Sequence, residues 1–240
     1  MRPDDREGLR VYRFESLGPR VDALVTTRIG GIDLSRAARA AHVDRLFAAY
    51  EIPRDAVWCV QVHSDLVTHV DAPGVVEGTD ALITDTPGLP LCVIMADCVP
   101  VLIYDPVRHA LGLLHAGWQG TVARLASTTV RAMVDRFGSD PATLVAAIGP
   151  SIGPDEYEVG PDVINRARAA YGPDTPILRE HPLAGKAFFD LWAANAHDLH
   201  SAGVRQVEIA GLSTATALDE FYSWRVARDT GRFATIATLR

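Results

Sequence analysis

Two short motifs and one neighbour carry the chemistry of this chain: Ala96-Asp97-Cys98, then His115-Ala116-Gly117-Trp118-Gln119-Gly120-Thr121, with Gln61-Val62-His63 upstream. Each places a His or a Cys at or near the end of an apolar run, where a sheet presents side chains to a shared cleft. His63, Cys98 and His115 together offer two nitrogens and a sulfur, a ligand set suited to a borderline-soft ion such as zinc. Three protein ligands leave a fourth position open, the catalytic rather than the structural arrangement. The three are too far apart in sequence for a zinc-finger knuckle, so the fold has to bring them together.

Cys98 has a second reading. A thiolate flanked by imidazoles has a depressed pKa and can act as a nucleophile. Cys59 and Cys92 have no such neighbours and read as small buried hydrophobes. Asp80, at the head of an apolar run, and Asp97, beside Cys98, are the carboxylates to watch. Either could orient an imidazole or serve as general acid or base, and either could simply cap a turn. Arg28 precedes a Gly-Gly turn in Thr26-Thr27-Arg28-Ile29-Gly30-Gly31, and Arg45, Arg225 and Arg232 are further cations that could hold a phosphate. Gln61, in the motif of His63, joins Arg28, Arg45 and Arg225 as a substrate- or phosphate-binding candidate.

These residues need a scaffold. Val57 to His63 alternates as a strand, placing Cys59, Gln61 and His63 on one face. Leu91 to Met95, Val99 to Tyr104 and Ala110 to Leu114 are short β-rich runs, with His115 where the last one stops. The spacing of Val122, Leu125, Thr129, Met133 and Phe137 predicts a helix over Val122 to Phe137, started by Thr121 and ended by Gly138. Further helices are expected from about Phe188 to Ala202 and from Asp162 to Ala170. Val207 to Ala210 and Phe233 to Leu239 read as closing strands. The mixture implies an α/β or α+β sandwich around a central sheet.

Composition narrows the partners. A chain of 240 residues fits one domain, 1–240, and 48% hydrophobic content provides a core without disulfides. A net charge of -7, with no block of like charges, argues against a nucleic-acid surface and for a small-molecule substrate. The acidic start has no apolar leader and no segment is long enough to span a membrane. Three free cysteines then point to the reducing cytoplasm. There is no Gly-x-Gly-x-x-Gly, Walker loop, His-Glu-x-x-His or Gly-x-Ser-x-Gly, and no His-x-His pair from which to build a multicopper centre.

The motifs closely resemble those of the YfiH-like, or laccase-domain, family of purine nucleoside phosphorylases. Gln61-Val62-His63, Gly78-Thr79-Asp80-Ala81-Leu82, Ala96-Asp97-Cys98 and the His115 to Thr121 run carry the resemblance. Ile148-Gly149-Pro150-Ser151-Ile152-Gly153, Tyr157-Glu158-Val159-Gly160, Phe189-Asp190-Leu191 with Asn195, Ser223-x-Arg225 and Thr230-Gly231-Arg232 continue it. It implies a single-domain, mixed-sheet α/β sandwich of the YfiH-like cysteine hydrolase type and zinc on His63, Cys98 and His115. It further implies phosphorolysis of adenosine, inosine and 5'-methylthioadenosine to base and ribose 1-phosphate, with some adenosine deamination, by a monomer or homodimer. Amidase-type editing of peptidoglycan precursors, centred on Cys98, is a second activity associated with such proteins, and a metal-containing protein that only binds its ligand is a third reading. The chain departs from the family pattern in a shortened Ile32 to Val43 segment followed by Asp44-Arg45, in Ser213-Thr214, and in Arg225-Val226.

Overall fold

The computed structural model describes residues 1–240. Two large sheets lie face to face, and helices cover both outer faces. In the first sheet the order is Arg2–Arg6, Leu9–Arg13, Val21–Thr26, Phe233–Leu239, Leu91–Met95, Val57–Val60, Gly74–Glu77. Its first four pairings are antiparallel and its last two parallel. The second sheet runs Gln206–Ile209, Val145–Ile148, Val99–Asp105, Ala110–Ala116, Ala81–Thr84, Val67–His69, and is again mixed. A small sheet of Glu158–Val159, Ala187–Phe189 and Leu178–Glu180 stands beside them. The expected α/β sandwich is therefore present, built on two sheets where one central sheet was expected.

Period-2 alternation explains the layering. Val99, Val101 and Ile103 enter the cluster under the helices, while Leu102 and Tyr104, on the other face of the same strand, enter the cluster between the sheets. Leu114 and Leu111 divide in the same way on the neighbouring strand. Strands buried on both faces read as continuous apolar runs, which is how they stand out in the sequence. A third cluster seats the Arg39–Ala49 helix, through Leu46 and Phe47, on Leu24, Trp58 and Ile236 of the first sheet. Gly112 lets the Leu125–Phe137 helix lie close: a Cβ there would meet Met133 Sδ at 3.1 Å and Thr129 Cγ2 at 3.3 Å.

Several boundaries differ from expectation. The helix expected over Val122 to Phe137 is two, Trp118–Val122 and Leu125–Phe137, broken at Arg124, which takes a left-handed conformation with φ of 65°. Arg124 is held by the buried Asp198 and the Ala170 carbonyl, and its guanidinium lies over Tyr171. Thr121 thus falls inside the short helix, while Gly138 ends the long one in the left-handed form, as predicted. The helix expected from Phe188 starts at Leu191, because Asp190 caps its first turn and Ala187–Phe189 pairs as a strand. No helix is long and apolar enough to cross a membrane.

Candidate active site

The three ligand candidates meet where several strands end. His115 is the penultimate residue of Ala110–Ala116, and Cys98 lies in the bend joining Leu91–Met95 to Val99–Asp105. His63 follows the Val57–Val60 strand, which stops short of the expected His63 because that residue has turned to φ of 61°. One donor atom from each, two ring nitrogens and Cys98 Sγ, lie within 4.8 Å of one another. Cys98 Sγ is 3.9 Å from His63 Nε2, and the two imidazoles meet edge to face with centroids 5.0 Å apart.

Asp80 fixes this geometry. Fully buried, it faces His115 Nδ1 at 2.9 Å through one oxygen. The other accepts from the Ser64 amide at 2.6 Å, the Ser64 hydroxyl at 2.8 Å and the Val62 amide at 3.2 Å. An ionised carboxylate only accepts, so His115 Nδ1 carries the proton and its Nε2 is left for Cys98 or an ion. Burial works against ionisation of Asp80, but His115 and the Ser64 amide outweigh it and hold the carboxyl down at about 2. The same contest decides the other two groups. Burial opposes the Cys98 thiolate, yet the His115 imidazole and His63 bring the thiol down to about 6. Burial opposes charge on His115 too, and Cys98 and Asp80 carry it up to about 9. Without a metal, each partner favours the charged form of the other: thiolate on Cys98, protonated imidazole on His115.

Asp97 does different work. It sits at φ of 86° and is held there at three points. Its Oδ1 accepts from the Thr214 hydroxyl at 2.7 Å, its Oδ2 from the Arg225 amide at 2.6 Å, and its carbonyl from the Ile152 amide at 2.9 Å. Left-handed backbone at a non-glycine residue costs on the order of 1–3 kcal/mol, which this anchoring offsets. Neither Asp80 nor Asp97 lines the adjoining cavity. Of the roles open to them in the sequence, Asp80 occupies the place of an imidazole-orienting carboxylate and Asp97 that of a loop anchor beside Cys98.

The cavity, of about 540 Å³, has Cys98, His63 and His115 in its wall with Ile94, Val75 and the exposed Trp224. Of the polar candidates only Gln61 and Arg232 reach it. Gln61 spends its amide on the main chain of Ile94, donating at 2.6 Å and accepting at 3.0 Å, so it clamps a strand end. Arg28 is turned to the Leu218 carbonyl and Asp229 and stacks on Tyr222. Arg45 donates to the carbonyls of Gly30 and Glu7, and Arg225 donates to the Glu158 carbonyl over the Tyr157 ring. These three arginines, candidates for holding phosphate, lie outside the cavity wall and bond elsewhere. Arg36 and Arg39 line the cavity and were not foreseen. They lie in the segment that departs from the family pattern, where no motif marks them.

The donor set suits a metal ion. Gly117 packs directly against the trio: a Cβ there would stand 2.8 Å from the His63 ring and 3.1 Å from Cys98 Sγ, so a side chain would displace the ligands.

The family described as multi-copper polyphenol oxidoreductase laccase matches residues 31–240. A purine nucleoside phosphorylase of Bacteroides thetaiotaomicron is 36% identical over 248 residues, covering 90% of this chain and 91% of that protein. One from Deinococcus radiodurans is 43% identical over 172 residues, covering 72% of this chain and 64% of the relative, less than two thirds of its length. The crystal structure of YlmD from Geobacillus stearothermophilus superposes with a TM-score of 0.91 at 28% identity, covering 99% of this chain and 98% of that one. By family match, sequence identity and fold, this chain belongs to the YfiH-like, laccase-domain family.

Proposed function

We propose that the chain is a zinc-dependent purine nucleoside phosphorylase, acting on adenosine, inosine or 5'-methylthioadenosine. The observation that carries this reading is the His63, Cys98 and His115 trio in the wall of a cavity that also has apolar surface and arginines. His63, Cys98 and His115 would hold the ion, with Asp80 orienting His115 from behind. A zinc ion there supplies a Lewis acid and lowers the pKa of water, chemistry that also serves adenosine deamination.

The chain's own residues supply the rest. Trp224 and Val75 offer apolar faces to a purine, and the cavity arginines balance the charge of phosphate. Phosphorolysis forms a bond from a hydrogen phosphate oxygen to C1', the C1'–N9 electron pair leaves with the purine, and the purine takes up the proton that the phosphate gives up. Holding both reactants in one cavity is the main catalytic device, since little covalent work falls to the protein. Asp80 and Asp97 act by position: one sets the tautomer of His115, the other the bend that presents Cys98.

A second reading has its own support. The thiol brought down to about 6 beside His115 is the activated nucleophile of a Cys98-centred amidase, the peptidoglycan-editing alternative. Base release from the three nucleosides, with and without phosphate, separates the two. Phosphate-dependent release that Cys98→Ala abolishes is the expected result. Absence of release from zinc-loaded protein overturns the phosphorylase reading and leaves the amidase or a ligand-binding protein.

A further inference from the structure

Arg39 is the cation in the cavity whose position its own element does not explain. It is the first residue of the Arg39–Ala49 helix, where a positive charge opposes the helix dipole, and the preceding Ala38 makes no capping bond. Its guanidinium carbon lies over the Trp58 ring, 4.2 Å from the centroid, and Trp58 is in turn stacked on Phe47. Arg39 is half-buried and has no carboxylate partner, in contrast to Arg10, Arg13 and Arg28, which are all paired. Burial pulls its pKa down, and the charge of Arg36 adds to that. Two like charges are thus gathered on one cavity. Arg36 reaches only an exposed Glu77 at 3.8 Å. Arg232 spends one nitrogen on the carbonyls of Asp229, Thr230 and Gly231, and no acid pairs with it.

The half-buried, unpaired Arg39 carries a desolvation cost that a bound anion would offset. The stack on Trp58 pre-orders the planar fork that suits a phosphoryl group. The same cavity wall carries the metal-ligand trio and apolar surface, so an anion held by these arginines would share the cavity with a nucleoside.

We propose that Arg39, supported by Arg36 and Arg232, is the phosphoryl-binding residue of this cavity. This rests on the nucleoside reading above and replaces Arg28, Arg45 and Arg225 in that role. The phosphoryl group is either inorganic phosphate or the 5'-phosphate of a nucleotide.

Calorimetric titration of the zinc-loaded full-length protein with inorganic phosphate, AMP and adenosine, each alone, tests it in the absence of phosphorolysis. Arg39→Gln keeps the aliphatic stem over Trp58 and removes the charge; Arg131→Ala, on the exposed face of the Leu125–Phe137 helix, controls for net charge. Phosphate affinity falling at least about tenfold in Arg39→Gln, with adenosine unchanged, supports inorganic phosphate as the ligand. AMP binding tighter than adenosine, by a margin that Arg39→Gln erases, supports a nucleotide. Phosphate and AMP binding to Arg39→Gln as tightly as to wild type overturns the proposal. Thermal melts verify folding, and Arg36→Ala and Arg232→Gln give the same test should Arg39→Gln unfold. Because binding is read alone, a failed base-release assay would sink the phosphorylase reading without deciding this one.

Discussion

Cys98 differs from the other two cysteines by its neighbours, not by its own chemistry. Burial pushes the Cys59 thiol up to about 12 and the Cys92 thiol well above its ordinary value, with no imidazole to oppose it. Cys98 comes down to about 6 because His115 and His63 outweigh burial. The thiolate is the reactive form, so lowering the pKa extends reactivity to lower pH. In metal-free protein, iodoacetamide should modify Cys98 with a rate that climbs through about pH 6 and levels off by neutrality, while Cys59 and Cys92 stay unmodified. Peptide mass mapping after timed alkylation checks this; a Cys98 rate still rising steeply above pH 8 would contradict the ion pair. The residue types were legible in sequence because His and Cys at strand ends are conspicuous. The places of the arginines were not, since sequence does not say which guanidinium faces the cavity: Arg36, Arg39 and Arg232 line it, and Arg28, Arg45 and Arg225 do not.

At the scale of elements, the site hangs from strands buried on both faces. Leu113 is fully buried between the sheets, two residues before His115 on the same strand. Leu113→Ala should cost about 2–5 kcal/mol, the lost transfer energy plus a cavity that rigid sheets cannot close. Urea unfolding should show a lower midpoint with an unchanged slope; a loss below about 1 kcal/mol would mean the inter-sheet layer is looser than described. Strand runs were readable because apolar residues on both faces leave no polar interruption. Helix limits were less so. The spacing from Val122 to Phe137 fits one helix, and it breaks at Arg124, which Asp198 and the Ala170 carbonyl hold. Similarly, Phe188 falls on the stripe of the helix that follows, yet its backbone pairs with Glu158. The Arg39–Ala49 helix has a weak stripe, no cap and no acid in its first turn, so nothing local announced it.

Over the whole molecule, the cavity is assembled from distant parts of the chain. Its wall runs from Arg36 to Arg232, and the Phe233–Leu239 strand closes the first sheet by inserting between Val21–Thr26 and Leu91–Met95. That last strand also brings Arg232 beside a cavity begun by the first helix. A topology of this kind cannot be read from one sequence, whereas the resemblance over motifs from Gln61 to Arg232 anticipated the sandwich and the convergence of the trio. The central claim is that this convergence is a metal centre. Elemental analysis of purified protein alongside His63→Ala, Cys98→Ala and His115→Ala, each verified as folded, tests it most directly. The account predicts near-stoichiometric zinc in the wild type and its loss in each variant. Wild-type protein that stays metal-free after incubation with zinc, or variants that keep full occupancy, would contradict it.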